Sequence, residues 1–387
     1  MDRIDALLRE TLSDLPVAPG GLERTMRRVQ SRRRRRARLR VAGAAVVFAA
    51  VAVAAVNGFS GSTPPASATT IQVPGRIVDA VGATGRIWAL TCTERCDNAE
   101  QSVGRLLAFD ASSGRVLRTT AAVQSPQAVA EGEDSVWTAD FWHSTVTRFS
   151  AQTGSRLATV SLTLPRPVAG GDDRFLPVDL TVRDGAVWVT TGRGYVARID
   201  PATNRVTAMV KTADDSTGPM VAGGGSLWIG EGLEIGRLDV VTGKLSNTTI
   251  EGPGDRRLSI GALTLANGAL WIGGEWATPS RDATGHRDYT ITDEAVLVEV
   301  DPATGAVQST TGLPHGSTLR SDSAGGLWLA NPRRKELYEF SPRTRKIVAS
   351  ARVRAIGAVI PASGHRVWVA SSANEFTLVD LGARPSP

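Results

Sequence analysis

Seven tryptophans recur along the chain, each inside a short strand-like phrase. They are Trp88, Trp137, Trp188, Trp228, Trp271, Trp328 and Trp368. Their phrases read GRIWAL, DSVWTAD, GAVWVTT, GSLWIGE, GALWIGG, GGLWLAN and HRVWVAS. Each is followed by a second strand and a turn phrase: FDASSG, FSAQTG, IDPATN, LDVVTG, VDPATG, FSPRTR and VDLGAR. Self-similarity at a spacing of about 40 to 50 residues is the signature of propeller blades. The reading is an all-β, seven-bladed β-propeller over residues 69–384, each blade a four-stranded antiparallel sheet.

Blade 2 shows the pattern most plainly. Strand A is expected over Gln127–Glu131, B over Ser135–Ala139, C over Thr145–Ser150 and D over Ser155–Leu162. The C-to-D turn carries Thr153-Gly154, where glycine permits the positive φ of a tight hairpin. An Asp or Ser three or four residues earlier can accept hydrogen bonds from the turn amides. Gly85, Gly185, Gly225, Gly268 and Gly326 precede other B strands and mark A-to-B turns. The strand B tryptophan is expected to lie against the neighbouring blade, filling the wedge between sheets.

The chain stops soon after strand C of blade 7, Asn374–Leu381. Its outer strand must therefore come from elsewhere. Thr69-Thr70-Ile71-Gln72-Val73-Pro74 resembles the D-strand phrases VSLTLP and NTTIEGP. It is expected to close the ring beside Phe376 and Leu378, removing a free sheet edge.

The N-terminal part has a different character. Arg32 to Arg36, Arg38 and Arg40 form a dense basic run directly before the apolar stretch Val41 to Val56. Sixteen helical residues rise about 24 Å, and adding Asn57 to Phe59 approaches a bilayer span. The expectation is a cytoplasmic basic segment at 1–40 with a short helical portion, a transmembrane helix at 41–59 and a linker at 60–68. Arginine on one flank keeps the N-terminus cytoplasmic and puts the propeller outside. The competing reading is signal-peptidase cleavage after Ala68, at Ala66-Ser67-Ala68.

The first 40 residues carry 12 arginines against 5 acidic residues, a net of +7, while the whole chain is +6. The remainder is thus close to neutral, at −1. The high pI reports topology, with the arginines facing anionic lipid rather than nucleic acid. Ile4, Leu7, Leu8, Thr11, Leu12 and Leu15 mark one face of a short helix that could dock a cytoplasmic partner or lie on the membrane.

The blade phrases resemble the family of seven-bladed propellers that includes the YVTN-repeat proteins and the streptogramin lyases. Gly225 to Leu245, GSLWIGEGLEIGRLDVVTGKL, is the nearest passage; Pro201 to Val206 and Asp301 to Val307 are similar too. The layout of basic segment, single span and propeller also looks like actinobacterial membrane proteins, and like membrane-bound regulators of extracytoplasmic sigma factors. Residues 1–40, however, lack the His and Cys ligands of those regulators' zinc domains. The lyase resemblance implies a constellation of His and acidic residues with Mg²⁺. Glu231 and Glu275 fall just past strand B, where that family carries Glu in its WFTE phrase. No position matches the lyase catalytic His. His143, His286, His315 and His365 are scattered, without paired spacing. The expectation is accordingly a non-catalytic binding module with no cofactor and no metal. A metal-assisted lyase or hydrolase, with His143 or His315 as acid, is one alternative, and an envelope sensor signalling inward is the other.

In a four-stranded blade, B-to-C and D-to-A connections share one rim. The long insertions fall there: 91–103 and 276–292 are read as B-to-C loops, and 165–176 and 251–257 as D-to-A loops. Such elaboration marks the binding face. Its candidate contacts are Asp140, Phe141, Trp142, His143, Arg193, Glu231, Glu275, Trp276, Asn331, Arg333 and Asn374, for an unknown protein or small envelope ligand. Trp142 and Trp276 stand outside the blade pattern. Cys92 and Cys96, the only cysteines, are read as a disulfide stapling the first insertion.

Overall fold

The computed structural model describes residues 69–83, 85–163, 175–212, 218–281, 287–313, 318–321, 326–331, 334–353, 358–362, 365–371 and 374–381. The basic segment, the apolar span and the linker lie outside them. No helix among the described residues is long and apolar enough to cross a membrane.

Among the described residues, twenty-nine strands form seven separate sheets. β1 (Thr69–Gln72) precedes blade 1, which holds β2 (Arg76–Ala83), β3 (Arg86–Glu94), β4 (Val103–Asp110) and β5 (Val116–Gln124). Blade 2 holds β6 (Pro126–Gly132), β7 (Ser135–Asp140), β8 (Thr145–Ser150) and β9 (Arg156–Ser161). Blade 3 holds β10 (Pro177–Arg183), β11 (Ala186–Thr191), β12 (Tyr195–Asp200) and β13 (Arg205–Lys211). Blade 4 holds β14 (Met220–Gly223), β15 (Ser226–Glu231), β16 (Glu234–Asp239) and β17 (Leu245–Thr249). Blade 5 has five strands: β18 (Glu251–Gly252), β19 (Arg256–Ala266), β20 (Ala269–Arg281), β21 (Arg287–Val300) and β22 (Val307–Gly312). Blade 6 holds β23 (Thr318–Ser321), β24 (Leu327–Asn331), β25 (Glu336–Ser341) and β26 (Lys346–Arg352). Blade 7 holds β27 (Val359–Pro361), β28 (Arg366–Ala370) and β29 (Glu375–Asp380), and β1 supplies its outer strand.

That closure has the expected register. Ile71 pairs with Phe376 and Thr69 with Leu378, and the Val73 amide donates to the Asn374 carbonyl at 2.8 Å. Innermost strands of successive blades touch all the way round, including β2 with β27.

The core consists of seven clusters, one at each interface between blades. All seven repeat tryptophans are at most 4% exposed. Trp137 packs with Val187 and Val189 of blade 3, Trp228 with Leu270 and Ile272 of blade 5, and Trp368 with Ile87 and Phe109 of blade 1. Each tryptophan thus serves the following blade, because one face of a strand points forward and the other back.

Turn chemistry follows the sequence. Asp184-Gly185, Gly224-Gly225 and Asn267-Gly268 place both turn residues at positive φ, the type I′ hairpin. Glu133-Asp134 does the same without glycine. In the C-to-D turns Asp110, Asp200, Asp239 and Asp301 accept hydrogen bonds from amides two or three residues on. Hydroxyl bonds from Ser112 to Asp110 and from Thr203 to Asp200, and the amide bonds to Asp239 and Asp301, are the main causes that hold all four carboxyls below the ordinary value.

Three loop expectations are corrected. Residues 276–292 are mostly strand: β20 and β21 continue past the blade as a hairpin. On the β21 side Tyr289, Thr290, Ile291 and Thr292 are residues that favour strand, and the pairing with β20 runs out to Arg281 opposite Arg287. In residues 251–257, β18 pairs with the start of β19, Glu251 opposite Arg257. In 91–103, β3 runs on to Glu94.

Candidate functional site

The residue three places after the repeat tryptophan ends strand B in blades 2, 3, 4 and 6, and in blades 1, 5 and 7 it lies within the strand or just past it. In blades 1 to 4 and 6 these are Thr91, Asp140, Thr191, Glu231 and Asn331, and all five are buried. Most of them organise the next turn. Asn331 Oδ1 accepts from the Arg334 amide at 3.0 Å, Thr191 Oγ1 from the Tyr195 amide at 3.1 Å, and Ser371 Oγ from the Glu375 amide at 3.2 Å. These are side-chain caps on tight turns.

Blade 2 adds a chemically competent partner to that arrangement. Asp140 Oδ1 accepts from the His143 amide at 3.0 Å. The His143 ring Nδ1 lies 2.9 Å from each carboxylate oxygen. The Asp140 side chain is 9% exposed and that of His143 51%. Burial pushes the Asp140 carboxyl above its ordinary value, while the hydrogen bonds from His143 oppose the shift. When Nδ1–H is donated to the carboxylate, the lone pair is left on Nε2 of this half-exposed side chain. That is the tautomer of a base or of a hydrogen-bond acceptor for a ligand. Beside it, Phe141 and Trp142 meet edge to face with ring centres 5.4 Å apart. The Trp142 amide donates to Ser125 Oγ at 3.3 Å, and Ser144 Oγ accepts from the Phe175 amide at 2.9 Å. Phe175 in turn meets Tyr195 edge-on at 5.3 Å, and Lys211 Nζ sits 4.9 Å from the Tyr195 ring centre. Asp140, Phe141, Trp142 and His143 therefore form one cluster, continuous with the aromatic pair at the start of blade 3.

The other candidates are dispersed. Arg193 occupies the B-to-C turn of blade 3, and its carbonyl accepts from Lys211 Nζ at 3.0 Å. Glu231 is buried; its Oε2 accepts from Asn247 Nδ2 at 3.0 Å, and that amide also reaches Glu234 Oε2 at 3.2 Å. A Cβ at Gly236 would stand 2.5 Å from Glu231 Oε1, so the missing side chain there makes room for the carboxylate. Glu275 lies within β20, opposite Ser259 and Ala295. Trp276 is buried under the 251–257 hairpin: a Cβ at Gly252 would come within 2.6 Å of its ring. It is a core residue of blade 5 rather than a surface contact. Asn331 is the turn cap noted above. Asn374 uses its carbonyl on Val73. Arg333, His286 and His315 lie outside the described residues.

Cys92 and Cys96 form a disulfide, and Arg76 donates to the Cys96 carbonyl at 2.6 Å. Among the described residues, no three His, Cys, Asp or Glu side chains converge in a way that could hold a metal ion. Glu231, turned toward Asn247, does not join His143 in a Mg²⁺ set, so the described residues do not fit the metal that the lyase resemblance implies.

By sequence alone His143 is a lone loop histidine. The signal that could have found the pair is the spacing Asp140-x-x-His143 across a strand end, the same i to i+3 step that caps other turns. A second such pair, His365 Nδ1 with Glu339 at 2.9 Å, lies on the opposite rim between blades 6 and 7.

No protein-family model matches the chain, and no curated protein does. Solved structures do. Virginiamycin B lyase from Staphylococcus aureus aligns with a TM-score of 0.59 at 13% identity, over 82% of this chain and 99% of that one. A streptogramin B lyase aligns with a TM-score of 0.57 at 14% identity, over 80% and 97%. The computationally designed Ika8 protein aligns with a TM-score of 0.52 at 11% identity, over 80% and 97%. The likeness to the lyases establishes the fold, a seven-bladed propeller of the streptogramin-lyase kind. A designed protein shares the same likeness, so chemistry has to be argued from side chains.

Proposed function

We propose that this chain is a single-pass membrane protein that displays its propeller outside the cell as a non-catalytic binding module. The observation that carries the reading is the asymmetry of the two rims. One bears the β20–β21 hairpin, the 251–257 hairpin, the disulfide-stapled insertion and the cluster at Asp140–His143. The other is made of tight turns tied to neighbouring blades. The basic run and apolar stretch at 32–59 support the anchor and its orientation. The ligand is a small envelope molecule or a protein segment bearing an aromatic or apolar group with a hydrogen-bond donor. It would stack on Phe141 and Trp142 and donate to His143 Nε2. Protease added to intact cells should remove the propeller and spare the first 40 residues. Protection of the propeller would contradict the orientation, and a released chain beginning at Thr69 would contradict the anchor.

One observation favours a second reading. A buried carboxylate holding an exposed imidazole is also the geometry of a general base, so a lyase or hydrolase centred on His143 is the enzymatic alternative. His143→Gln separates the two. A binding module keeps partial affinity through the aromatic pair, whereas a general-base enzyme loses turnover by about 10²-fold or more.

A further inference from the structure

The β20–β21 hairpin gives blade 5 a feature the other blades lack. The strand B of blades 2, 3 and 4 has 6 residues and that of blades 6 and 7 has 5, whereas β20 has 13. The hairpin continues beyond the blade through Thr278–Thr290, Pro279–Tyr289, Ser280–Asp288 and Arg281–Arg287. Its outer part, from Thr278 to Arg281, would span about 13 Å at an ordinary strand rise. β19 reaches β20 only as far as Ala277, and β22 reaches β21 only from Val296. Beyond those points no strand among the described residues pairs with either edge of the arm.

The two edges differ. The β20 edge carries Pro279, which lacks an N–H and so blunts strand addition. On β21, residues 287–293 read RDYTITD, without proline and rich in β-branched residues. Ile291 is 51% exposed, and Asp288 and Thr290 are exposed as well. The base of the arm is braced by an Arg256–Glu294 ion pair and by the Arg257 guanidinium 5.1 Å from the Tyr289 ring centre. A braced, protruding strand with an unblunted edge is a template for another strand.

Its sequence specifies which strand. Laid antiparallel on a second copy of itself and centred on Thr290, the segment sets Tyr289 opposite Ile291 and Asp288 opposite Thr292. Shifting the centre to Ile291 would instead set Asp288 against Glu294, two like charges that disfavour the pairing. Such self-complementarity is what an isologous two-fold contact requires. We infer that the arm of blade 5 is a homodimerisation element, pairing β21 of two copies antiparallel about Thr290.

Cysteine cross-linking of the full chain in mild detergent tests this, since both native cysteines are already bonded to each other. At the two-fold centre, residues 290 of the two copies would have Cα atoms about 4.5–5.5 Å apart, within disulfide reach. Residues 288 of the two copies would be about 13 Å apart. Thr290→Cys should give a covalent dimer on mild oxidation and Asp288→Cys should not, while Asp288→Cys with Thr292→Cys should restore it. Adding Ile291→Lys to Thr290→Cys should cut the cross-linked fraction at least tenfold. The inference fails if Thr290→Cys stays monomeric while melting like the parent, or if Asp288→Cys cross-links as readily as Thr290→Cys.

Discussion

The two rims of this ring are built from the same seven sheets and do different work. On the rim of A-to-B and C-to-D turns, blades reach forward and hold the next one. Arg86 donates to the Ala151 carbonyl at 3.0 Å, Arg237 to the Ala303 carbonyl at 2.8 Å and the Trp368 indole to the Ala111 carbonyl at 2.8 Å. Arg148 lies over Trp137 and reaches the Pro201 carbonyl and Asn204, and Glu299 pairs with Arg345 at 2.9 Å. On the rim of B-to-C and D-to-A connections, polar side chains mostly cap their own turns, ties between blades such as Ile260 N–H to the Gly232 carbonyl run mainly through the backbone, and insertions extend outward. A closed ring needs its interfaces fastened once. Fastening them along one rim leaves the other able to vary without loosening the ring.

The contrast can be broken most forcefully by exchanging one tryptophan from each class. Trp137→Ala empties a fully buried site between blades 2 and 3 and should cost about 3–5 kcal/mol. Trp142→Ala, on the elaborated rim, should cost about 1 kcal/mol or less while weakening ligand binding. Denaturant midpoints at constant slope measure both. Comparable losses would mean that the blade 2 turn is part of the core.

Removing the closing strand comes next. A chain beginning at Gly75 loses the pairing of β1 with β29, the burial of Val73 and the partial burial of Ile71. Relative to a chain beginning at Thr69 it should lose roughly 2–5 kcal/mol, seen as a lower melting temperature. Equal melting would show that the ring closes without β1. A smaller effect, about 1–3 kcal/mol, is expected for Arg148→Ala, which frees one latch.

Titration should separate the turn aspartates from Asp140 by sign. The turn aspartates Asp110, Asp200, Asp239 and Asp301 have folded values below the ordinary 3.8. Their stabilisation is complete above that value and is lost as pH falls through their lowered folded values. Asp140 is shifted the other way by burial. Ionising it opposes folding, so its contribution falls as pH rises from 3.8 through its raised folded value. Unfolding free energy measured against pH should therefore flatten at the acid end in a variant with Asn at the four turn positions. Asp140→Asn should instead remove a decline with rising pH.

Much of this was legible in the residues. The tryptophan phrases locate seven B strands and predict that each ring packs on a neighbour, because an aromatic at that strand position has only the next sheet to fill. Thr69 to Pro74 could be assigned to blade 7 because blade 7 lacked a D strand and the phrase resembled other D strands. The DxxTG phrases gave the turns. The latches were not legible: Arg148 meets Asn204 only because blades 2 and 3 stack, and nothing local to either residue says so. The arm is not legible as strand because Pro279, Gly285 and a run of polar residues resemble a loop, and only Tyr289 to Thr292 favour strand. Trp276 looked like a surface aromatic because the 251–257 hairpin that covers it is distant in sequence. His143 looked solitary because its partner is a strand-end aspartate that the blade pattern had already absorbed.

The most direct test of the division between rims places a photo-activated cross-linker at one exposed position at a time in intact cells. On the elaborated rim the positions are Asn98 and His143; on the latched rim they are Ser113 and Val241, the latter 88% exposed. The account predicts a discrete adduct, larger than the chain alone, from Asn98 or His143 and none from Ser113 or Val241. Adducts confined to Ser113 or Val241, or equal from both rims, would contradict it.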